Sequence, residues 1–487
     1  MKNILKSLLI FGIFVAPLRG ASNKTFFLPR SHGVNLAMEY TTWHELLQIK
    51  SNEDYTTHFQ LTAFYMDSRE ADDLGRYFGV SNKFNFTVND QAAQDVIGRW
   101  IIHARNSANQ DWATIKLSPK QNAYGARLDF YQGLNKILDG LYFKAALPIV
   151  NVDNDLRMHI TAAGADPEQV AAKAVLEDYF KGRYAVAANG NNGITGAAGC
   201  GQAALTHGKI DGSQNTTGIA DIDLVLGYKA FDKEKYHVAV NLGLTIPTGT
   251  TPTGEYLFEA VVGNGNHWGL GAGLDFMARL WGDDEKNIKL TGAANYRYLF
   301  ESTEKRTLGL QYGNAPFNWQ HYVLAGAPGD TVGTPGANEI TLDLNVTPGS
   351  QFDAIIALAY NNRSFTFDLG YNLFWKDRES VKTKGWSDRL SALAIIEPTL
   401  NFNVALDANT PGHWIDGNYL LSKDHANVDR GAAATPSQMT HKIYGGIGYI
   451  FKDCKYPVML NFSAHYEFAS DDGIENWAVW GKLGVAF

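Results

Sequence analysis

The chain has 487 residues, a formal net charge of −8, 12% aromatic and 19% charged residues, and 48 glycines. That mixture is too polar for a bundle of membrane helices and too rich in aromatics and glycine for a disordered chain. Scattered Lys and Arg in an acidic background exclude nucleic acid as a partner. Two cysteines are too few for a disulfide framework.

Residues 1–21 read as a secretory signal, with Lys2 and Lys6 as the basic end, Leu8 to Val15 as the apolar run and Gly20 or Ala21 as a small residue for cleavage. The apolar run falls short of the ~20 residues that span a bilayer, which argues against an amino-terminal anchor. Residues 22–54 follow as a periplasmic or plug segment. Within it Leu36, Tyr40, Trp43 and Leu47 recur at helical spacing. This predicts an amphipathic helix that either plugs a lumen or lies at the periplasmic rim, with an extra strand as the alternative.

Residues 55–487 contain no uninterrupted apolar helix, so a membrane would have to be crossed by strands, and only a closed barrel satisfies the backbone there. Alternation of apolar and polar or small residues runs through twelve stretches in chain order: Phe59–Tyr65, Tyr124–Tyr131, Leu141–Ile149, Ile219–Phe231, Tyr236–Pro247, Trp268–Trp281, Ile288–Phe300, Phe352–Tyr360, Phe365–Trp375, Ile443–Phe451, Val458–Phe468 and Trp477–Phe487. Period-2 patterning also occurs in a soluble sandwich, but strands this long with aromatics near their ends favour a membrane barrel. Joins are short after the second, fourth, sixth, eighth and tenth stretches and long after the first, third, fifth, seventh and ninth. That is the short-periplasmic, long-extracellular asymmetry of outer-membrane barrels, and it puts both chain ends on the periplasmic side. The expected fold is an all-β antiparallel transmembrane barrel of about 12 strands (12–14) with long extracellular loops and a short amino-terminal helical segment.

Between the third and fourth strands, Asp166-Pro167-Glu168 marks a helix start. The Gly/Ala/Asn-rich 187–218 that follows reads as a mobile or inward-folded loop. Cys200 falls in this extracellular loop and Cys454 in a periplasmic turn, too far apart for a disulfide.

No HExxH, GxSxG or CxxC motif is present, and no cofactor or metal motif stands out. His441, His465 and Asp471 fall where a rim hydrolase would need them, but read better as polar lumen or loop residues. The polar positions opposite the apolar stripes carry more. Asp221, Asp223, Lys229, Asn241, Asp275, Arg279, Lys289, Asn295, Arg297, Asp353, Asp368 and Glu467 are candidate lumen-lining residues, joined by Asn461, His465 and Lys482. Both signs are present, so strong ion selectivity is not expected. Phe487 ends the last strand on the lipid-facing parity with Trp477, Val479, Leu483 and Val485.

The stretch GIADIDLVLGYKAF (Gly218–Phe231), then VNLGLTIPTGTTPTGEY (Val240–Tyr256) and GNGNHWGLGAGLDF (Gly263–Phe276), resembles the outer-membrane family associated with phenol-degradation pathways. The resemblance is carried by Gly218 with Asp221, by Pro247-Thr248-Gly249, and by Asn264 to Trp268. That family is in turn similar to barrels that take up long-chain fatty acids and hydrocarbons. A terminal Phe also resembles the signal read by the barrel-assembly machinery. The expectation is therefore a non-enzymatic channel or transporter in the bacterial outer membrane, passing small solutes or hydrophobic compounds. Its partners would be outer-membrane lipid, the assembly machinery and a small-molecule solute. The alternative is a surface-interaction protein whose long loops bind host or neighbouring cells.

Overall fold

A computed structural model describes residues 23–49, 56–69, 71–87, 96–98, 101–102, 112–185, 201–310, 319–326, 332–385, 387–391, 393–397, 413–419 and 428–487. The signal segment and Cys200 lie outside these residues. Twelve antiparallel strands form the wall: β1 (Thr57–Ser68), β2 (Lys120–Gly133), β3 (Leu141–Asp155), β4 (Ile222–Lys233), β5 (Tyr236–Ile246), β6 (Gly269–Gly282), β7 (Lys286–Leu299), β8 (Gly349–Asn362), β9 (Phe365–Lys376), β10 (Gln438–Phe451), β11 (Val458–Asp471) and β12 (Asn476–Ala486). Each pairs with its chain neighbour, and β12 returns to β1 in register from His58↔Ala486 to Ser68↔Asn476, which closes the cylinder.

Alternation decides which solvent each face meets. On β9, Leu369 is 65% exposed while its neighbour Asp368 is 6% exposed. On β11, Phe462 is 66% exposed and Asn461 7%. A soluble protein has the opposite arrangement. An apolar exterior around a closed wall is what a bilayer requires, and exposed aromatics ring both rims, with Tyr65, Tyr124, Trp268 and Tyr466 at the long-loop end and Phe231, Phe365, Phe451 and Phe487 at the short-turn end. The chain is a transmembrane β-barrel of the bacterial outer-membrane type. No helix among the described residues is long and apolar enough to cross a membrane.

All twelve stretches identified by alternation lie on wall strands, and the join lengths alternate as expected. The departures have local causes. Bulges between Lys229 and Phe231 and between Arg279 and Trp281 shift parity by one, so Phe231 and Trp281 join the outer face. The fourth strand does not start at Ile219. Ser213–Ile219 instead pairs with the upper half of β3 from Asp155 to Ile149, and the ladder resumes only at Asp223↔Ala146. Pro148 sits in the gap. Its carbonyl accepts from the Ala220 N–H at 2.9 Å, and proline has no N–H to return, so the ladder breaks at that point.

Two glycines inside the wall are matched to tyrosines across the ladder. Gly227 faces Tyr142 and Gly370 faces Tyr444, and a Cβ on either would lie 2.1 Å or 2.4 Å from the opposing ring. Each aromatic lies flat over a residue that has no side chain. Gly370→Ala is expected to cost about 1–3 kcal/mol through overpacking. It should lower the temperature at which the folded barrel converts to the unfolded band on a semi-native gel.

The long loops pack into a cap. Helix α3 (Ala71–Phe78), helix α4 (Pro167–Phe180) and short strands bury Phe27, Phe78, Phe86, Trp112, Phe180, Trp319 and Tyr322 in one aromatic-rich core. Helix α4 begins at Pro167, as the Asp-Pro-Glu signature predicts. Cys454 is exposed and free at the other end of the barrel.

The amino-terminal segment takes a path that join lengths do not reveal. Asn23 donates its N–H to Gly79, Lys24 to Tyr77 and Thr25 to Ala432, so the first described residues lie among the long loops rather than at the periplasmic end. From there the chain descends inside the cylinder through helix α1 (Leu36–Tyr40) and helix α2 (Trp43–Leu46) to Ile49, and β1 then starts from the short-turn end.

Candidate functional site

The polar side chains of the wall meet the amino-terminal segment in a chain of ion pairs and hydrogen bonds. Asp368 on β9 accepts the Thr42 N–H (3.0 Å) and hydroxyl (3.1 Å) and lies 2.7 Å from His44 Nε2. Asn461 on β11 donates to the same Thr42 hydroxyl at 3.0 Å. These contacts explain why one predicted helix is two. Thr42 adopts φ +60°, a left-handed conformation that a β-branched residue takes only when its surroundings impose it, at a cost of about 1–3 kcal/mol. The Asp368 carboxylate supplies that constraint, and the helix breaks between Tyr40 and Trp43.

Other wall residues hold the segment along its length. Lys289 on β7 donates to both Glu45 carboxylate oxygens and to Gln48, each at 2.8 Å. Lys482 on β12 donates to the carbonyls of Glu39 (3.0 Å) and Thr41 (2.8 Å), capturing acceptors freed where α1 ends. Nearer the cap, Arg30 reaches Asp353 on β8 at 2.6 Å and Asn372 at 2.9 Å and stacks on Phe374. Glu467 on β11 accepts from Thr440 and Asn476 and lies 3.3 Å from Lys442 Nζ. His465 Nε2 lies 2.8 Å from Asn476 Oδ1.

The remaining sequence candidates fall into four groups. Asp223 pairs with Arg297 at 2.8 Å and accepts from Thr245 at 2.6 Å, while Asn241 and Asn295 flank Gly273, and none of these five contacts the segment through a hydrogen bond. Asp275 accepts from Tyr142 at 3.1 Å and lies 3.5 Å from His237. Lys229 and Arg279 sit at the short-turn mouth, beside Asp232 (3.6 Å) and Asp284 (2.7 Å) respectively. Asp221 differs from all of them. It lies in the gap before β4 and accepts the N–H (2.7 Å) and side-chain amide (2.6 Å) of Asn264 and the Gly249 N–H (3.4 Å). A Cβ at Gly249 would strike the Val262 carbonyl at 2.3 Å, and Gly263 has φ +85° against the same carboxylate. The three motif pieces noted in the sequence thus converge on one aspartate, which organises a loop.

Residues that sequence reading missed include Lys442 on β10, the segment's own Arg30, Glu39, His44 and Glu45, and a set on β1–β3, where alternation is weak. Arg127 on β2 pairs with Glu39 (2.8 Å) and Asp129 (2.7 Å) and donates to the Gly33 carbonyl, and Gln60 on β1 donates to Asp129. Lys144 on β3 donates to the Tyr40 hydroxyl at 3.2 Å and lies 3.6 Å from Glu39. Their position opposite Leu128 and Leu61 is the period-2 signal that would have found Arg127 and Gln60.

No family model matches the chain. No curated protein matches it either. Among solved structures, an outer-membrane channel from Pseudomonas putida F1 aligns over 90% of this chain and 98% of its own, at 9% identity and TM-score 0.39. A monoaromatic hydrocarbon channel variant covers 96% and 98% at 10% identity and TM-score 0.35. A Pseudomonas aeruginosa FadL homologue covers 89% and 90% at 7% and TM-score 0.32. These likenesses are remote, and the barrel rests on its own geometry.

One contact bears on hydrolysis. His441 Nε2 lies 2.9 Å from the Ser470 hydroxyl on the outer face, but its Nδ1 meets the Tyr371 hydroxyl at 2.5 Å, where a triad would place a carboxylate. Its ring stacks on Phe468 at 5.3 Å within the aromatic girdle. Among the described residues no group of three or more His, Cys, Asp or Glu is placed to hold a metal.

Proposed function

We propose that this protein is an outer-membrane channel for passive passage of small solutes or hydrophobic compounds, narrowed by its own amino-terminal segment. The observation that carries this reading is the polar inner wall gripping residues 30–48 through Asp353, Asp368, Lys289, Lys482 and Arg127, with cavities left beside the segment. A twelve-strand cylinder is wider than one that side chains alone can fill and narrower than the 16–18-strand open porins, so a segment of one or two short helices suits its lumen. The test is liposome swelling with arabinose and with a tetrasaccharide, alongside single-channel recording in KCl. Passage of the smaller sugar and not the larger supports the reading, and impermeability of both the full chain and a form lacking the segment contradicts it.

Assembly belongs to the same reading. The Phe487 N–H donates to the Thr57 carbonyl at 2.8 Å, and its ring lies against Phe59 and Tyr456 on the lipid face, at the seam where β12 meets β1. A terminal aromatic in this position suits recognition by the barrel-assembly machinery before closure. Deleting Phe487 is expected to reduce the folded fraction in outer membranes several-fold while leaving refolding in detergent largely intact. Equal loss in both settings would point to a packing role alone.

The surface-interaction alternative has one observation in its favour, the size of the cap. Among the described residues the cap's apolar side chains are largely packed on each other.

A further inference from the structure

The segment does not fill the lumen evenly. Its side-chain anchors at Asp368, Lys289, Asn461 and Lys482 are on β7, β9, β11 and β12. On the other side, chiefly from β2 round to β7, two cavities remain. The upper, of ≈ 90 Å³, is bounded by Glu39, Arg127, Asp223, Asn241, Asn295 and Arg297. The lower, of ≈ 250 Å³, is bounded by Tyr131, Tyr142, Lys229, Asp232, His237 and Asp275, and lies at the short-turn end. Among the described residues only Tyr40 and Lys144 line both. A third cavity of ≈ 150 Å³ beside Glu45 and Lys289 shares no lining residue with the upper one.

Building on the channel reading above, we infer that Tyr40 is the constriction of the permeation path, a ring held across the passage by Lys144. The hold is specific. Lys144 Nζ lies 3.2 Å from the Tyr40 hydroxyl and 5.0 Å from the centre of its ring, while Glu39 Oε1 at 3.6 Å fixes the ammonium from the segment side. On the wall side Tyr142 backs Lys144. Its ring is 5.6 Å from the ammonium, stacks on Tyr131, and has its hydroxyl tied to Asp275 at 3.1 Å. Tyr142 can lie flat because Gly227 is opposite, so the wall at this level is rigid and the movable part is Tyr40. Tyr40 is the last residue of α1, two residues before the left-handed turn at Thr42, where the backbone leaves the helix axis and aims the ring toward β3. A solute that passes this level must be small enough to slip by a phenol ring, or must displace it from a cation. The chemistry favours solutes with an acceptor for the Lys144 ammonium or a π-face to replace that of Tyr40.

The test is single-channel conductance in KCl of refolded barrels whose gel mobility matches the unaltered chain. Tyr40→Ala removes the ring and should join the two cavities, raising conductance several-fold. Tyr40→Phe keeps the ring over Lys144 and should stay near the parent value. Lys144→Met frees the ring and should give an intermediate, flickering conductance. Should Tyr40→Ala fail to fold, Tyr40→Cys in a Cys200→Ser/Cys454→Ser background replaces it, with current falling on addition of a bulky thiol reagent. Unchanged conductance in folded Tyr40→Ala, while a form lacking the segment conducts, overturns the constriction and leaves the channel reading standing. Silence of every form, including the one lacking the segment, overturns both.

Discussion

A chain lacking residues 22–49, with residues 1–21 retained, is expected to assemble as a folded barrel with a KCl conductance at least several-fold above that of the full chain. The segment is held by ionic and polar contacts and by burial of Leu36, Met38, Trp43 and Leu46 against small and aromatic wall residues, and loss of the polar contacts does not strand charges in a dry interior. Asp368, Lys289, Lys482 and the Arg127–Asp129 pair would face a lumen that fills with water once the segment is gone. The wall keeps every inter-strand ladder, because the segment contributes no strand to it. Conductance that stays at the full-chain level in a correctly folded truncation would mean that the loops, and not the segment, close the barrel.

Truncating Arg306 is expected to open the cap. Its guanidinium is fully buried between Glu304 (2.6 Å) and Glu379 (2.5 Å), donates to the Ala433 carbonyl at 2.8 Å, and covers the Phe26 ring at 3.7 Å. Removing one member of such a network leaves buried carboxylates uncompensated, which costs about 3–5 kcal/mol. Arg306→Met should therefore make the cap sensitive to limited proteolysis while the membrane-embedded strands stay protected. Arg306→Lys, which keeps the charge but loses the fork, should fall between. The network also has a pH signature. Burial alone would raise the Glu379 carboxyl, but Arg306 and Lys376 outweigh it and hold it down to about 2, against an ordinary 4.5. A depressed carboxylate contributes its stabilisation in full above the ordinary value and loses it as pH falls toward the folded one. Cap protection should thus be constant above pH 5 and decline between about pH 4.5 and pH 2. Because Thr25 and Phe26 dock on this cluster, opening the cap should also loosen the upper end of the segment.

Much of the wall was legible because a barrel in a bilayer writes its two solvents into alternate residues. Leu369 beside Asp368 and Phe462 beside Asn461 identify a face each without any partner strand being known. Join lengths then gave the order of the strands and which ends of them carry the long loops, but not the path of the amino-terminal segment. What escaped was set by contacts distant in sequence. The helical spacing of Leu36, Tyr40, Trp43 and Leu47 is real, but the break at Thr42 depends on Asp368, which lies 326 residues away. The Ile219 to Ile222 interruption depends on Pro148 in the neighbouring strand. Asp221 shares its parity with lumen residues, and only the return of Gly249 and Asn264 shows that it holds a loop together. The upward path of the amino terminus was hidden because Asn23 to Phe27 are recognised by cap residues, none of which has a periodic pattern.

That the amino-terminal segment threads the cylinder from cap to periplasmic mouth can be tested by one cross-link. A Cβ placed on Gly33 would lie 3.6 Å from the Ala220 Cβ in the gap between β3 and β4, within the separation that a disulfide spans, and 2.7 Å from the Pro148 Cγ, so the proline ring must shift to admit it. In a Cys200→Ser/Cys454→Ser background, Gly33→Cys/Ala220→Cys should form that bond in outer membranes, seen by mass spectrometry as a reducible peptide pair joining the segment to the wall. Free thiols at both positions in folded barrels under oxidising conditions would contradict the threaded segment.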